Sequence, residues 1–141
     1  YGIEGHRHLP EMEENLSADA NGEVLKLTFV PHLLPMVRGI HATLYVDATD
    51  EFDLSALYEN FYNKEPFVDI IPESTCPDTK SVRASNICRI APHKEIGTSR
   101  IIILSVIDNL MKGAAGQAVQ NMNIMMGFEE VAGLVLGPIT P

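Results

Sequence analysis

The residues best suited to chemistry lie near the start of the 141-residue chain, in the stretch GHRHLPEMEENL. Its two histidines, His6 and His8, point the same way if the segment is extended, and Glu11 lies one turn further on if a helix begins beside it. A carboxylate that orients an imidazole fixes its tautomer, and such an imidazole can move a proton near neutral pH. The adjacent Arg7 could neutralise an anionic substrate. The same spacing also fits a solvated helix start with incidental histidines.

Metal ligation is a second use for the two histidines. It requires a third ligand, for which Glu11, His32 and His41 are the candidates. The H-x-H pattern with a later acidic residue is superficially similar to a cupin. Cupins, however, are barrels of many short strands, whereas this chain ends in a helical pattern and a strand-like tail. We therefore expect no metal at this site, and a metal-dependent enzyme that uses His6 and His8 is the weaker alternative.

Three further stretches carry polar residues that could contact a ligand. In FVPHLLPMVRG, His32 and Arg38 flank a proline-rich turn, and Arg38 could bind a carboxylate or phosphate, although an ordinary turn is the alternative. SVRASN adds Arg83 and Asn86, as an anion contact or as a surface polar cluster. In DNLMKGAAGQAVQNMN, small residues at a helix start allow either a ligand or another backbone to approach closely. The amide and amine side chains on this helix suggest a lined site; they are Asn109, Lys112, Gln117, Gln120, Asn121 and Asn123.

Hydrophobic periodicity and turn residues predict the elements that would position these side chains. Apolar alternation predicts strands, and the nearly continuous apolar run from Ile101 indicates a strand central in its sheet. Asp53 and the pair Asp108 and Asn109 are candidate helix caps. The predicted strands cover 23–33, 39–49, 67–72, 85–93 and 99–108, and the predicted helices cover 11–22, 53–66 and 108–127. This order predicts an α+β fold with a mixed sheet and helices packed on one face.

Composition excludes several classes of protein. The formal charge of −9 and the scattered Lys and Arg residues argue against nucleic acid as a partner. No apolar run approaches the roughly 20 residues that cross a bilayer. The two cysteines, Cys76 and Cys88, form no C-x-x-C motif, so we expect two buried thiols in a reducing cytoplasm. The first residues lack the pattern of a secretory signal and suggest a piece cut from a longer chain.

Four stretches, taken in order and spacing, resemble the N-acetyl-gamma-glutamyl-phosphate reductase branch of the semialdehyde dehydrogenase family. They are GHRHLPEM, FVPHLLPMVRGI, EPFV with SVRASNIC, and DNLMKGAAGQAVQNMNIMMG followed by EEVAGL. The resemblance implies a largely antiparallel sheet, like that of the C-terminal domain of semialdehyde and glyceraldehyde-phosphate dehydrogenases. It also implies reduction of an acyl phosphate to a semialdehyde in arginine biosynthesis, with NADP as cofactor and through a cysteine thioester.

The resemblance assigns roles to the polar residues. The base histidine falls within the H-R-H motif, where we expect His8 first and His6 second, with Glu11 orienting the ring. The expected substrate contacts are Arg7, Arg38 and His32. The expected cofactor contacts are Asn109, Lys112, Gly113 and Gln117, on a helix that in the family returns to the nucleotide-binding domain.

Two parts of the family pattern are missing from the chain. It has no G-x-G-x-x-G turn after an early strand and no G-C-Y motif, so neither Cys76 nor Cys88 is promoted to nucleophile. We therefore expect residues 1–141 to be a single catalytic and dimerisation domain, inactive alone, with helix 109–126 docking on a nucleotide-binding domain of its own protein. A homo-oligomer is expected as well. The alternative is a non-catalytic binding module of the same fold.

Overall fold

The computed structural model of the chain describes residues 1–138 and divides into two compact units, the first of which is Tyr1–Met36. Helix α1, Leu9–Asp19, begins with a proline in its first turn and an acidic residue beside it, both of which favour a helix start. Asn21 and Gly22 follow with φ values of 55° and 85°, so the chain reverses direction there. The predicted first helix is confirmed.

The strand predicted at 23–33 is wrong, because this segment pairs with no strand among the described residues. Its backbone instead binds side chains of α1. The Leu25 N–H donates to Ser17 Oγ at 2.9 Å, and the Leu27 N–H donates to Glu13 Oε1 at 3.1 Å. The Leu27 N–H and the Lys26 ammonium together lower the pKa of Glu13. Side chains of a helix thus take the place of a neighbouring strand.

The second unit begins at Val37 and contains a four-stranded sheet in the order β1-β4-β3-β2. The strands are β1, Ile40–Asp47; β2, Val68–Ile70; β3, Cys88–Lys94; and β4, Arg100–Ile107. β4 pairs antiparallel with both β1 and β3, whereas β2 pairs parallel with β3. The predicted mixed, largely antiparallel sheet and the interior position of β4 are both confirmed.

The described part of the second unit also contains two α-helices and a short 3-10 helix, Thr79–Val82. Helix α2, Leu54–Tyr62, contacts β2 and β3 and begins where Asp53 Oδ1 accepts the Ala56 N–H at 3.0 Å. Helix α3, Gly116–Met126, ends at Gly127, whose φ of 71° suits glycine. The predicted last helix differs at its start, because Met111–Ala115 forms wide turns in which the Gly113 and Ala115 N–H groups donate to the carbonyls five residues earlier, of Asp108 and Leu110.

The core of the second unit is formed by residues of β3, β4 and α2 together with residues of the segments outside the strands. Its buried apolar residues are Leu54, Phe67, Val82, Ile90, Ala91, Ile101, Val106 and Leu134. Helix α3 contributes Gly116, Gln120 and Asn123 to the interior, while Met125 on the same helix is 83% exposed. A mainly polar face of α3 therefore points inward and an apolar face points outward.

The two cysteines were expected to be buried, and this is wrong for Cys76, which lies exposed in the loop after β2. Cys88, at the start of β3, is half-buried, and its sulfur lies 3.5 Å from the Ser105 hydroxyl. Over the described part of the chain, no helix has the length and apolar character to span a membrane. The expectation of one domain, with its last helix docked on another, stays a prediction.

Candidate functional site

The histidine pair lies at the start of α1 in the first unit. The rings of His6 and His8 are 4.9 Å apart between centroids and meet edge to face, and His6 also lies edge-on to Phe29 and Tyr1. The His8 backbone N–H donates to His6 Nδ1 at 3.3 Å, so His6 accepts at Nδ1 and carries its proton on Nε2 when neutral. His6 is thereby fixed among aromatic rings, whereas His8 is exposed.

The other residues predicted for this site are less constrained. No hydrogen bond within residues 1–138 joins the Glu11 carboxylate to either imidazole, and only the Glu11 backbone carbonyl accepts a side-chain donor, Asn15 Nδ2, at 2.8 Å. His32 Nδ1 bonds to the Val30 carbonyl at 3.0 Å, and Arg7 is exposed. The structure therefore does not form the predicted carboxylate–imidazole contact, and the catalytic roles of these residues stay predictions. Across the described residues, no group of three or more His, Cys, Asp or Glu could hold a metal ion.

Asp108, directly after β4, is the most highly coordinated side chain of the second unit and is 1% exposed. Its Oδ1 accepts the backbone N–H groups of Leu110 at 2.9 Å and Met111 at 3.1 Å. Its Oδ2 accepts the Ala84 N–H at 2.5 Å and lies 2.6 Å from Arg38 Nη2. Burial raises the pKa of this carboxyl, but the Arg38 guanidinium and the three backbone N–H groups outweigh burial and lower it to about 2.

Asn109, the residue after Asp108, binds the turn that contains Arg38 and Gly39. Its Oδ1 accepts the Gly39 N–H at 2.7 Å, so the consecutive residues Arg38 and Gly39 are held by two consecutive residues after β4. Gly39 has a φ of 122°, and a Cβ there would lie 2.9 Å from Thr79 Cβ. Both the backbone conformation and the lack of space require glycine at this position.

A network of buried amides occupies the inner face of α3. Gln120 Oε1 accepts from Asn86 Nδ2 at 2.9 Å and from Lys112 Nζ at 2.8 Å, while Gln120 Nε2 donates to Glu130 Oε1 at 2.6 Å. The Lys112 ammonium lies 5.5 Å from the centre of the Phe67 ring, and burial lowers the pKa of Lys112. The ammonium of a predicted cofactor contact is therefore bound inside the unit.

The remaining amides of α3 divide between interior and surface. Asn123 Nδ2 donates to the carbonyls of Glu130 and Ala132, each at 3.0 Å, which ties the following turn to the helix. Gln117 Nε2 donates to Asn121 Oδ1 at 2.9 Å on the exposed side. Two of the four predicted cofactor contacts, Asn109 and Lys112, use polar side-chain atoms in hydrogen bonds inside the unit. The other two do not, because Gly113 has no side chain and Gln117 bonds to Asn121 on the exposed side.

Sequence reasoning treated Asp108 only as a helix cap, and the structure adds its bonds to Arg38 and Ala84. The amides Gln120 and Asn123 were interpreted as part of a ligand-lined site, but they are 7% and 3% exposed and bind groups within the chain. Their number on one helix was the only signal available. Nothing in the letters VRASN indicated that Ala84 adopts a φ of 60°.

Residues 1–109 match the model described as semialdehyde dehydrogenase, dimerisation domain. The chain belongs to the semialdehyde dehydrogenase family. Its α+β fold, with one mixed sheet, is the fold expected of this family.

Semialdehyde dehydrogenase relatives named N-acetyl-gamma-glutamyl-phosphate reductase align with the whole chain. The identity is 57% for the protein of Laribacter hongkongensis, 59% for that of Nitrosospira multiformis and 56% for that of Azotobacter vinelandii. The chain spans 41% of the length of each of these relatives. A solved structure of aspartate semialdehyde dehydrogenase II complexed with ASA, from Vibrio cholerae, superimposes with a TM-score of 0.68 at 16% identity. That match covers 86% of this chain and 37% of the other, and it shows a shared fold.

Proposed function

We propose that this chain is part of an NADPH-dependent reductase that converts N-acetyl-gamma-glutamyl phosphate to N-acetylglutamate semialdehyde, in the cytoplasm. The observation that carries the proposal is 56–59% identity along the full chain to relatives with that reductase name. Within the enzyme, this part supplies the acid–base histidine, substrate contacts and an oligomer surface. The nucleophilic cysteine and the phosphate-binding turn belong to sequence outside these 141 residues.

His8 is the proposed acid–base residue. It takes the proton of the nucleophilic thiol, so that the thiolate can attack the acyl carbon and expel phosphate. NADPH, when bound, would supply the hydride that reduces the resulting thioester. His8 then gives its proton to the oxyanion that this reduction forms, and takes it back as the semialdehyde carbonyl forms and the thiolate leaves. The exposed imidazole of His8 supports this choice, because it makes no hydrogen bond among the described residues. His6, whose Nδ1 is engaged, is better suited to orient the His8 backbone, and Glu11 stays the proposed carboxylate partner.

Arg7, Arg38 and His32 are the proposed substrate contacts. Arg7 is exposed and forms no ion pair with any described residue, so its full positive charge is open to an anionic substrate. Arg38 keeps 27% of its side chain exposed, but its charge is balanced by Asp108. Arg38 therefore contributes N–H donors with a fixed direction more than net charge.

The last helix is the proposed cofactor contact. Gly113 is exposed and Gln117 half-buried, so both can reach a bound nicotinamide cofactor. Asn109 and Lys112 act instead through the segments that they hold in place. The outward apolar residues of α3 would dock on the nucleotide-binding domain of the same protein; they include Met122, Met125 and Met126, which are 49%, 83% and 67% exposed.

A second copy of the chain is the other proposed partner. The family model describes a dimerisation domain, and β1 is an edge strand in which Leu44, Tyr45 and Val46 are at least 42% exposed. Neighbouring residues of a strand point to opposite faces, so both faces of this edge expose apolar side chains. Such an edge is suited to burial against another protein surface.

The test is the reductase reaction of the longer protein that contains this chain, followed as NADPH oxidation that depends on N-acetyl-gamma-glutamyl phosphate. His8→Asn should lower kcat by roughly 10²- to 10⁴-fold, the usual contribution of a positioned acid–base group. His6→Asn should have a smaller effect. His41→Asn is the matched control for the chemical step, since His41 is an exposed histidine that lies on β1, the proposed oligomer edge, and not at the proposed acid–base site. A wild-type protein without turnover would contradict the reductase and favour a binding module.

A further inference from the structure

Three segments that are distant in sequence meet at the carboxylate of Asp108. They are the turn at Arg38, the loop at Ala84 and the start of the wide turns before α3, at Leu110 and Met111. The two carboxylate oxygens bind different segments. Oδ1 binds only the start of the wide turns, and Oδ2 binds the Ala84 N–H together with the Arg38 guanidinium. A rotation of the side chain would therefore break bonds on both sides.

The backbone around the Asp108 carboxylate restricts the position of this side chain. Ala84 adopts a left-handed φ of 60°, a conformation that a residue with a side chain keeps only when its surroundings enforce it. Its N–H then points at Oδ2 at 2.5 Å. Asp108 itself is 1% exposed, so water does not compete for these bonds. The backbone of two segments thus sets the position of the negative charge.

Arg38 depends on this charge for its own position. In the part of the chain that the structure describes, Asp108 is its sole ion-pair partner, at 2.6 Å, and Arg38 Nε is buried without a hydrogen-bond partner. A buried guanidinium donor without an acceptor is costly, so the ion pair is the interaction that offsets this cost. The Gly39–Asn109 bond fixes the backbone of the turn but not the Arg38 side chain.

We propose that Asp108 is a positioning residue that holds the guanidinium of Arg38 in the orientation in which it contacts the acyl-phosphate substrate. Asp108 does not touch the substrate, and it acts only through Arg38. The inference rests on the proposed function, in which Arg38 is a substrate contact.

The experiment compares Asp108→Asn with Asp69→Asn in the longer reductase. Asp69 is a matched control because it also pairs with one arginine, Arg89, at 2.7 Å, but binds no other segment. Asp108→Asn should raise KM for the acyl phosphate about tenfold to hundredfold with a smaller change in kcat, the range expected when a buried charge pair loses one partner. Asp69→Asn should leave KM within about twofold, as expected of a partly exposed ion pair.

A double-mutant cycle separates positioning from general structural damage. If Asp108 acts through Arg38, the effect of Asp108→Asn on KM should disappear in an Arg38→Met background. Effects on KM that add independently would overturn the proposal, and so would an unchanged KM in Asp108→Asn.

A second measurement does not depend on the reductase reaction. In the 141-residue chain, amide hydrogen exchange at Ala84 and Leu110, whose N–H groups donate to the Asp108 carboxylate, should be about tenfold faster or more in Asp108→Asn and unchanged in Asp69→Asn. Unchanged exchange would show that these bonds do not fix the carboxylate, and it would overturn the positioning role even if the wild-type enzyme is active. If the wild-type enzyme is inactive, the proposed function fails, and faster exchange still shows that the Asp108 carboxylate holds these two segments.

Discussion

The buried carboxylate of Asp108 makes the stability of the second unit depend on acid pH. Its pKa is about 2 in the folded chain, whereas an unfolded aspartate titrates near 3.9. A group with a lowered folded-state pKa stabilises the fold above the unfolded value, and this stabilisation disappears as the pH falls through the folded value. The wild-type chain should therefore lose about 2 kcal/mol of unfolding free energy between pH 5 and pH 2 through this residue.

Urea unfolding of the wild type and of Asp108→Asn across this pH range measures the effect. The free energy of unfolding should fall less steeply with acid in the variant, because the titrating group has been removed. Asp69→Asn should keep the steep wild-type dependence, since Asp69 is 43% exposed and binds only Arg89. If the free energy of unfolding has the same pH dependence in the wild type and in Asp108→Asn, Asp108 is not the source of the acid sensitivity.

The sequence could predict contacts of Asp108 that are local and could not predict those that are distant. An aspartate at the junction of a strand and a helix is a good cap, and the bonds to Leu110 and Met111 follow from that position. The bonds to Arg38 and Ala84 depend on how the strands pair and on a strained backbone at residue 84. Neither the strand pairing nor the backbone conformation of residue 84 produces a periodic pattern in the sequence.

At the scale of an element, helix α3 also shows that the sequence predicts local structure but not contacts between distant residues. Its spacing predicted a helix, and its many methionines exceed what one buried stripe requires, yet the periodicity did not identify the inward face. The structure buries Gln120 and Asn123 and exposes Met125, because partners for the amides come from Asn86 and Glu130 elsewhere in the fold. Amide side chains on a helix can therefore be structural, and this reduces the number that remain to bind a cofactor.

Gln120→Leu tests the importance of this amide network. The change would leave the Asn86 amide, the Lys112 ammonium and the Glu130 carboxylate without a shared partner. Asn86 is fully buried, where an unsatisfied polar group costs about 1–3 kcal/mol, and Lys112 and Glu130 are half-buried. We expect a loss of about 2–4 kcal/mol in the free energy of unfolding. Gln117→Leu, one turn away in an exposed pair, should change stability by less than about 0.5 kcal/mol. Equal effects in the two variants would show that the network does not stabilise the fold.

In segment 23–33, alternation predicts a strand that the structure does not form. Half-buried and exposed residues do alternate along most of the segment, but alternation does not specify which groups accept the backbone N–H bonds. Here the acceptors for Leu25 and Leu27 are Ser17 and Glu13 on the preceding helix, so the segment is bound to α1 without being a ladder strand. The wide turns at Met111–Ala115 were missed for a similar reason, since an i+5 bond and an i+4 bond arise from almost the same spacing.

The whole chain, taken alone, should not catalyse the proposed reaction. It lacks both the G-C-Y motif and the phosphate-binding turn, so we expect no NADPH oxidation with acyl phosphate and weak or no NADPH binding. The assay should be run on the wild-type chain and on Cys76→Ser and Cys88→Ser. Turnover above the background without protein, abolished in either variant, would make that cysteine the nucleophile and contradict the proposed division of the active site.

The pairing of β1 has a consequence for how the protein is made. Each residue of β1 pairs with a residue of β4 that lies more than 50 positions further along the chain, as Asp47 does with Arg100. A ribosome adds about 5–20 residues per second, so β1 waits roughly 3 to 13 seconds for its neighbouring strand in this sheet. By contrast, β3 and β4 form a hairpin almost as soon as they are synthesised. The nascent chain therefore carries an unpaired apolar strand through most of the synthesis of its second unit, and that interval is when chaperone binding would protect it most.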